Sequence, residues 1–167
     1  MRLLLAPVAL VSCLAAACLP AEDADRAGIP ESVTCEWAEV LRVVDGDTLR
    51  VRLGGVEERL RYIGIDTPEM QSDERPEEPL AQEARDFNAG LVAGGRVCLE
   101  KDVSDRDQYG RLLRYAWLDD GRMVNEELLE AGMARVVTFP PDVKYHDARL
   151  LPAQRAASRA ALGIWSD

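Results

Sequence analysis

Val43-Val44-Asp45-Gly46-Asp47-Thr48-Leu49-Arg50-Val51-Arg52-Leu53, Gly54-Gly55, and then Glu57-Glu58-Arg59-Leu60-Arg61-Tyr62-Ile63-Gly64-Ile65-Asp66-Thr67-Pro68-Glu69 carry the most regular pattern in the chain. Thr48 to Leu53 alternates, with Leu49, Val51 and Leu53 on one face and Thr48, Arg50 and Arg52 on the other, the pattern of a half-buried strand. Asp45-Gly46 before it and Gly54-Gly55 after it are turn signals. The stretch therefore predicts a meander of three strands, Glu36–Val44, Thr48–Leu53 and Glu57–Ile65. Two carboxylate clusters fall at strand ends, Asp45 and Asp47 around a glycine, and Asp66 and Glu69 around Thr67-Pro68. Oxygen-rich clusters of this kind suit a hard divalent cation. Arg61, five residues before Asp66, and Arg111, closing Asp107-Gln108-Tyr109-Gly110-Arg111, add guanidiniums suited to a phosphate. Carboxylates for a metal beside arginines for a phosphate point to phosphodiester chemistry.

Outward from this stretch, Pro79–Ala93 reads as a helix with Leu80, Ala84, Phe87 and Leu91 on one apolar face, taken as plain core, and Gly94-Gly95 as its stop. Arg96–Asp102 and Arg111–Leu118 read as the fourth and fifth strands. Val124–Ala131 is a short helix facing the core through Val124, Leu128 and Ala131, and Asp147–Ala161 is a last helix stopped at Gly163. Five short strands interleaved with three helices predict an α+β domain, a small closed barrel with helices packed outside.

The 167 residues, 47% of them hydrophobic, suffice for one domain with a core of Leu, Val, Ile and Ala. Thirty acidic against twenty basic residues give a net charge of −10, which excludes long-range attraction as the means of holding a polyanion. Any such attraction must be local. The one histidine, His146, lies far from the motifs in sequence and reads as a surface residue.

Met1-Arg2 followed by the apolar run Leu3–Leu19 has the form of an export signal over residues 1–18. Pro7 within the run and the acidic Glu22-Asp23-Ala24-Asp25 after it argue against a spanning helix. Cys13, in Leu10-Val11-Ser12-Cys13, and Cys18, in Ala15-Ala16-Ala17-Cys18, are alternative lipidation candidates, and ordinary cleavage without lipid is the third alternative. Residues 19–34 read as a flexible tether, and 35–167 as the folded domain. In an exported protein Cys35 and Cys98 are expected to form a disulfide; two buried thiols are the other reading.

The motifs together carry a family resemblance. Val43-Val44-Asp45-Gly46-Asp47-Thr48, Arg61 to Glu69, Asp107 to Arg111, Gly121-Arg122-Met123-Val124-Asn125-Glu126 with Leu128, and Ile164-Trp165-Ser166 resemble, in this order, the thermonuclease (staphylococcal-nuclease-like) family. The resemblance implies an OB-fold, a five-stranded β-barrel with three α-helices, and Ca²⁺-dependent hydrolysis of DNA and RNA. By position it implies Asp47 and Asp66 as calcium carboxylates, Thr67 as a carbonyl ligand, Asp45 behind them, and Glu69 as the general base. Arg61 and Arg111 would hold the scissile phosphate, with Tyr109 as a phosphate hydrogen-bonder. The position where the family holds a lysine just before its Tyr-Gly-Arg is Gln108 here, and Phe139 stands where the family has substrate-stacking tyrosines. With the acidic charge, these departures lead to the expectation of a weaker, more salt-sensitive nuclease. The substrate is expected to be DNA and RNA, single-stranded by preference, and the protein a monomer in the periplasm or cell envelope, as an outer-membrane lipoprotein, or secreted. The competing readings are a non-catalytic relative that binds nucleic acid or peptide, and an acidic cluster that only stores calcium.

Overall fold

A computed structural model of the chain describes residues 28–73 and 76–166. The expected export signal, with Cys13 and Cys18, and residues 19–27 of the expected tether lie outside the described residues. Gly28 to Thr34, the remainder of that tether, is seated on the domain, with Ile29 and Val33 buried in the core. Gly28 lies against Asp120 and Gly121 so closely that a Cβ on it would come within 2.2 Å of the Asp120 carbonyl carbon.

Five strands form the barrel: β1 (Cys35–Val43), β2 (Thr48–Leu53), β3 (Val56–Tyr62), β5 (Arg96–Glu100) and β6 (Leu112–Trp117). They close it in the order β1-β2-β3-β6-β5. All neighbours are antiparallel except β3 and β6, which run parallel. Leu49, Val51, Leu60, Val97, Leu99 and Leu112 fill the interior, while Tyr115 and Trp117 are buried on the other face of β6, on the side of Cys98 and Glu100. Each such large apolar side chain contributes about 1.5–3 kcal/mol on burial. Helices α1 (Ala81–Leu91), α2 (Val124–Glu130) and α3 (Leu151–Arg159) pack outside. This is the α+β, OB-type barrel with three helices that the sequence implies. Among the described residues no helix is long and apolar enough to cross a membrane.

The Cys35–Cys98 disulfide is formed, with Cα atoms 5.4 Å apart. It joins the start of β1 to its neighbour β5, one diagonal step off the register in which Trp37 faces Cys98. Behind it, Glu100 is buried and accepts hydrogen bonds from the Trp117 indole (2.8 Å) and the Tyr145 hydroxyl (3.0 Å), and pairs with Lys144. Residues 144 and 145 are thereby fastened to the barrel wall.

Four elements depart from the sequence reading. The third strand does not run on to Ile65. Gly64, at φ +79°, turns the chain, and Ile65–Asp66 (β4) pairs instead with Arg135–Val136 (β7). The helix-1 face is displaced: Ala81, Ala84 and Asn88 are buried, while Leu80, Phe87 and Leu91 are half-buried. Ala131 ends α2 half-buried rather than in the core. The last helix begins with a wide π-type turn, His146–Leu150, and stops at Arg159. Ala161, at φ +50°, takes the left-handed position after it, and Leu162 N–H reaches back to the Ala157 carbonyl.

Candidate active site

The turn between β1 and β2 and the break after β3 bring the two carboxylate clusters together. Asp45 Oδ1 accepts the Asp47 amide at 3.0 Å, which folds the Asp45-Gly46-Asp47 turn. Thr67 packs directly on Gly46; a Cβ there would lie 2.6 Å from the Thr67 hydroxyl oxygen. Gly46 therefore permits the approach. Across it, Asp47 Oδ2 accepts from the Thr67 amide (3.0 Å) and hydroxyl (3.1 Å), while Oδ1 accepts from the Thr48 hydroxyl (3.1 Å). Thr48 is buried for this reason, although the strand alternation put it outside.

Arg61 bridges the two acids. Its Nη1 lies 2.6 Å from Asp47 Oδ2 and its Nη2 lies 2.7 Å from Asp66 Oδ1. Nη1 also donates to the Ile65 carbonyl at 2.9 Å. Burial raises the Asp47 carboxyl to about 7; Arg61 opposes that rise and the Asp45 charge adds to it. Asp66 is half-exposed at the rim.

These groups stand at the edge of a cleft of about 790 Å³. Asp45, Arg61, Asp66 and Glu69 line it together with Asp107, Gln108, Tyr109, Arg111 and Phe139. Asp47 and Thr67 lie buried just behind. The Glu69 backbone is fixed by exchange with Glu78: its carbonyl accepts the Glu78 amide at 3.0 Å, and its amide donates to the Glu78 carboxylate at 3.2 Å. Arg111 is set by Asp107, which accepts from the Arg111 Nε (2.6 Å), the Arg111 amide (2.9 Å) and the Tyr109 amide (2.9 Å). Partial burial pushes the Asp107 carboxyl up, but the hydrogen bonds and charge of Arg111 outweigh it and hold it below the ordinary 3.8. The Arg111 guanidinium lies 5.6 Å from the Tyr109 ring centre. Tyr109 and Phe139 are each 71% exposed at the cleft rim. His146 does not line the cleft; it bonds Thr138 and Asp147.

Sequence reasoning passed over three residues that build this site. Asn88, beside the helix face read as plain core, is fully buried; it accepts from the Tyr62 hydroxyl (3.0 Å) and donates to the Asp45 carbonyl (3.2 Å). A polar residue bordering an apolar helical stripe was the available signal. Asn125, buried in α2, joins the Ala116 amide (3.0 Å) to the Ile63 carbonyl (2.9 Å), so it anchors the break after β3. Asp107 carried no signal beyond its place in a turn.

The donor set can be tested against a divalent cation. Asp47 and Asp66 present hard oxygens to one cation already, the Arg61 guanidinium, which stands between them. Two carboxylates and the Thr67 backbone fit a calcium ion in chemistry. Among the described residues there is no cluster of three or more His, Cys, Asp or Glu side chains arranged for a metal.

Fold and cleft together define a small OB-type barrel with an acid–arginine site at its mouth. Residues 59–167 match the family model described as "Staphylococcal nuclease homologue". The chain is 40% identical over 129 residues to the "Thermonuclease" of Staphylococcus hyicus, a match covering 77% of this chain and 75% of that protein. It is 41% identical over 128 residues to the "Thermonuclease" of Staphylococcus intermedius, covering 75% and 74%. "Endonuclease YncB" of Bacillus subtilis (strain 168) is 42% identical over 127 residues, 75% of this chain and 59% of that protein. The chain belongs to the staphylococcal nuclease homologue family.

Proposed function

We propose that this protein is a calcium-dependent nuclease that hydrolyses phosphodiester bonds of DNA and RNA, with a preference for single strands. The observation that carries the reading is the shared cleft: Arg61, which bridges the acids Asp47 and Asp66, lines it together with Asp66, Glu69, Arg111 and Tyr109. Membership of a family whose relatives are named thermonucleases and endonucleases supports it.

Asp47, Asp66 and the Thr67 carbonyl would hold the calcium ion, with Asp45 fixing the turn behind them. When bound, calcium supplies positive charge against the phosphate and the attacking water. Arg61 and Arg111 bind the non-bridging phosphate oxygens, where charge builds as the water oxygen approaches phosphorus. Glu69 takes the water proton on a carboxylate oxygen as the new P–O bond forms and the ester P–O bond breaks, and the departing ester oxygen takes a proton from solvent water. The Tyr109 hydroxyl donates a hydrogen bond to the same phosphate.

The same reading puts the protein outside the cytoplasm as a monomer: residues 1–18 as an export signal, either with Cys13 or Cys18 carrying a lipid anchor in the cell envelope or with ordinary cleavage and no lipid, and the disulfide suited to an oxidising compartment. The test is incubation of the protein with single-stranded DNA, first with calcium and then with excess chelator. Cleavage that stops with chelator supports the reading. No cleavage in either condition, with strand binding retained, supports the non-catalytic alternative.

A further inference from the structure

The outer face of β1, β2 and β3 carries two adjacent cross-strand rows with opposite charge patterns. In one row Glu39 faces Arg52 and Arg52 faces Glu57, so acids flank the base, and Arg52 is ion-paired with Glu39. In the next row Arg42 faces Arg50 and Arg50 faces Arg59. Three arginines stand side by side, about 10 Å from end to end at ordinary strand spacing.

Like charges directly opposite on a sheet are destabilising. A chain of net charge −10 has acid enough to alternate them, as its neighbouring row does. Only Glu57 reaches the row, at 3.4 Å from Arg50. Among the described residues no carboxylate pairs with Arg42 or Arg59, and both are exposed. Arg61 and Arg111, by contrast, are each engaged by an aspartate.

The row also has a direction. Arg59 lines the cleft together with Arg61, Arg111 and Gln108. The β3–β6 register pairs Leu60 with Leu112 and Arg61 with Leu113. Continued by one residue, it sets Arg59 beside Arg111. The row thus begins at the proposed phosphate site and leads away from it over the barrel.

We propose that Arg59, Arg50 and Arg42 form a phosphate track for one nucleic-acid strand, whose reacting phosphate sits at Arg61 and Arg111 and whose flanking phosphates lie along the row. The track extends the proposed function and rests on it for the position of the reacting phosphate. It confers affinity that grows with strand length and ignores base sequence, since phosphate contacts position a strand without reading it. It also supplies positive charge on the wall where Gln108 carries none.

The test compares the full chain with the triple variant Arg42→Ser/Arg50→Ser/Arg59→Ser and with its counterpart Arg42→Lys/Arg50→Lys/Arg59→Lys. Two substrates are used, a thymidine dinucleotide and a single strand of about 12 nucleotides, each with calcium; binding of the longer strand in chelator is followed by anisotropy against salt. The serine variant is expected to lose about tenfold or more in kcat/KM on the long strand and less than about twofold on the dinucleotide, with a salt slope shallower by about 2, at about 0.7 per phosphate contact. The lysine variant, which keeps the charge, should recover most of the loss. Equal losses on both substrates, an unchanged salt slope, or a loss confined to binding of phosphatidylglycerol vesicles would overturn the track. If the wild type binds the long strand through this row but cuts neither substrate, the track stands and the hydrolytic function fails.

Discussion

The Nη1 of Arg61 lies 2.6 Å from Oδ2 of Asp47, and the same carboxylate oxygen accepts both the amide and the hydroxyl of Thr67. One buried oxygen thus joins the β1–β2 turn, the end of β3 and the segment after β4. Removing the guanidinium leaves a buried carboxylate without its nearest positive charge. Arg61→Ala should destabilise the fold by about 3 kcal/mol in urea unfolding and reduce kcat on single-stranded DNA about 10²–10³-fold. Arg61→Lys should restore part of the stability and little of the activity, because an ammonium cannot span Asp47 and Asp66 as the planar fork does.

Gly46 and Gly90 make a controlled pair. A methyl group at Gly46 would meet the Thr67 side chain at 2.6–2.8 Å, whereas one at Gly90 would meet nothing within 4 Å. Gly46→Ala should cost about 1–3 kcal/mol and lower activity, since Thr67 must withdraw its amide and hydroxyl from Asp47. Gly90→Ala, inside α1, should stabilise by about 0.5–1 kcal/mol with unchanged kcat. Thermal unfolding with parallel rate measurements checks both.

Asp107 gives the site a pH dependence with a fixed sign. Its carboxyl is held below the ordinary 3.8 in the fold, the lowering by Arg111 exceeding the rise from partial burial. A depressed carboxyl stabilises the folded state above its unfolded pKa and loses that contribution as pH falls through the folded value. Asp107→Asn should therefore be less stable than wild type by about 1 kcal/mol above pH ~5, with the gap closing below pH ~3. A gap that stays constant down to pH ~2 would remove the carboxylate from this role.

The Cys35–Cys98 bridge closes a separation of 63 residues. The double variant Cys35→Ser/Cys98→Ser should lose about 4 kcal/mol in urea unfolding on chain-entropy grounds. Because Cys98 is fully buried and Cys35 nearly so, a reductant should act slowly on the folded protein and quickly on the unfolded one.

The barrel was legible because its strands obey simple periodicity. Leu49 and Val51 alternate with arginines, and Gly54-Gly55 marks the turn, so local pattern and final pairing agree. The break at Gly64 was not legible. Ile63-Gly64-Ile65 reads as continuing strand, and only the tertiary partners decide otherwise: Asn125 takes the Ile63 carbonyl, and β7 pairs with β4. The π-type turn at His146–Leu150 and the left-handed Ala161 were hidden for a similar reason, since an Ala/Arg-rich sequence favours uninterrupted helix. Within the site, Asp45, Asp66, Glu69, Arg61, Tyr109 and Arg111 could be named from motifs, and they line one cleft. Asn88 could not, because a motif marks groups that face a substrate and is silent on those that hold them from behind.

The proposed hydrolysis depends on Glu69 as proton acceptor, and its carboxamide variant isolates that role. Glu69→Gln removes the proton acceptor while leaving Asp47, Asp66 and Thr67 in place. Single-turnover cleavage of a single-stranded oligonucleotide at saturating calcium should slow about 10²–10⁴-fold, with the calcium titration of the protein close to that of wild type. Cleavage within about threefold of wild type, well short of the loss expected for a general base, would contradict it.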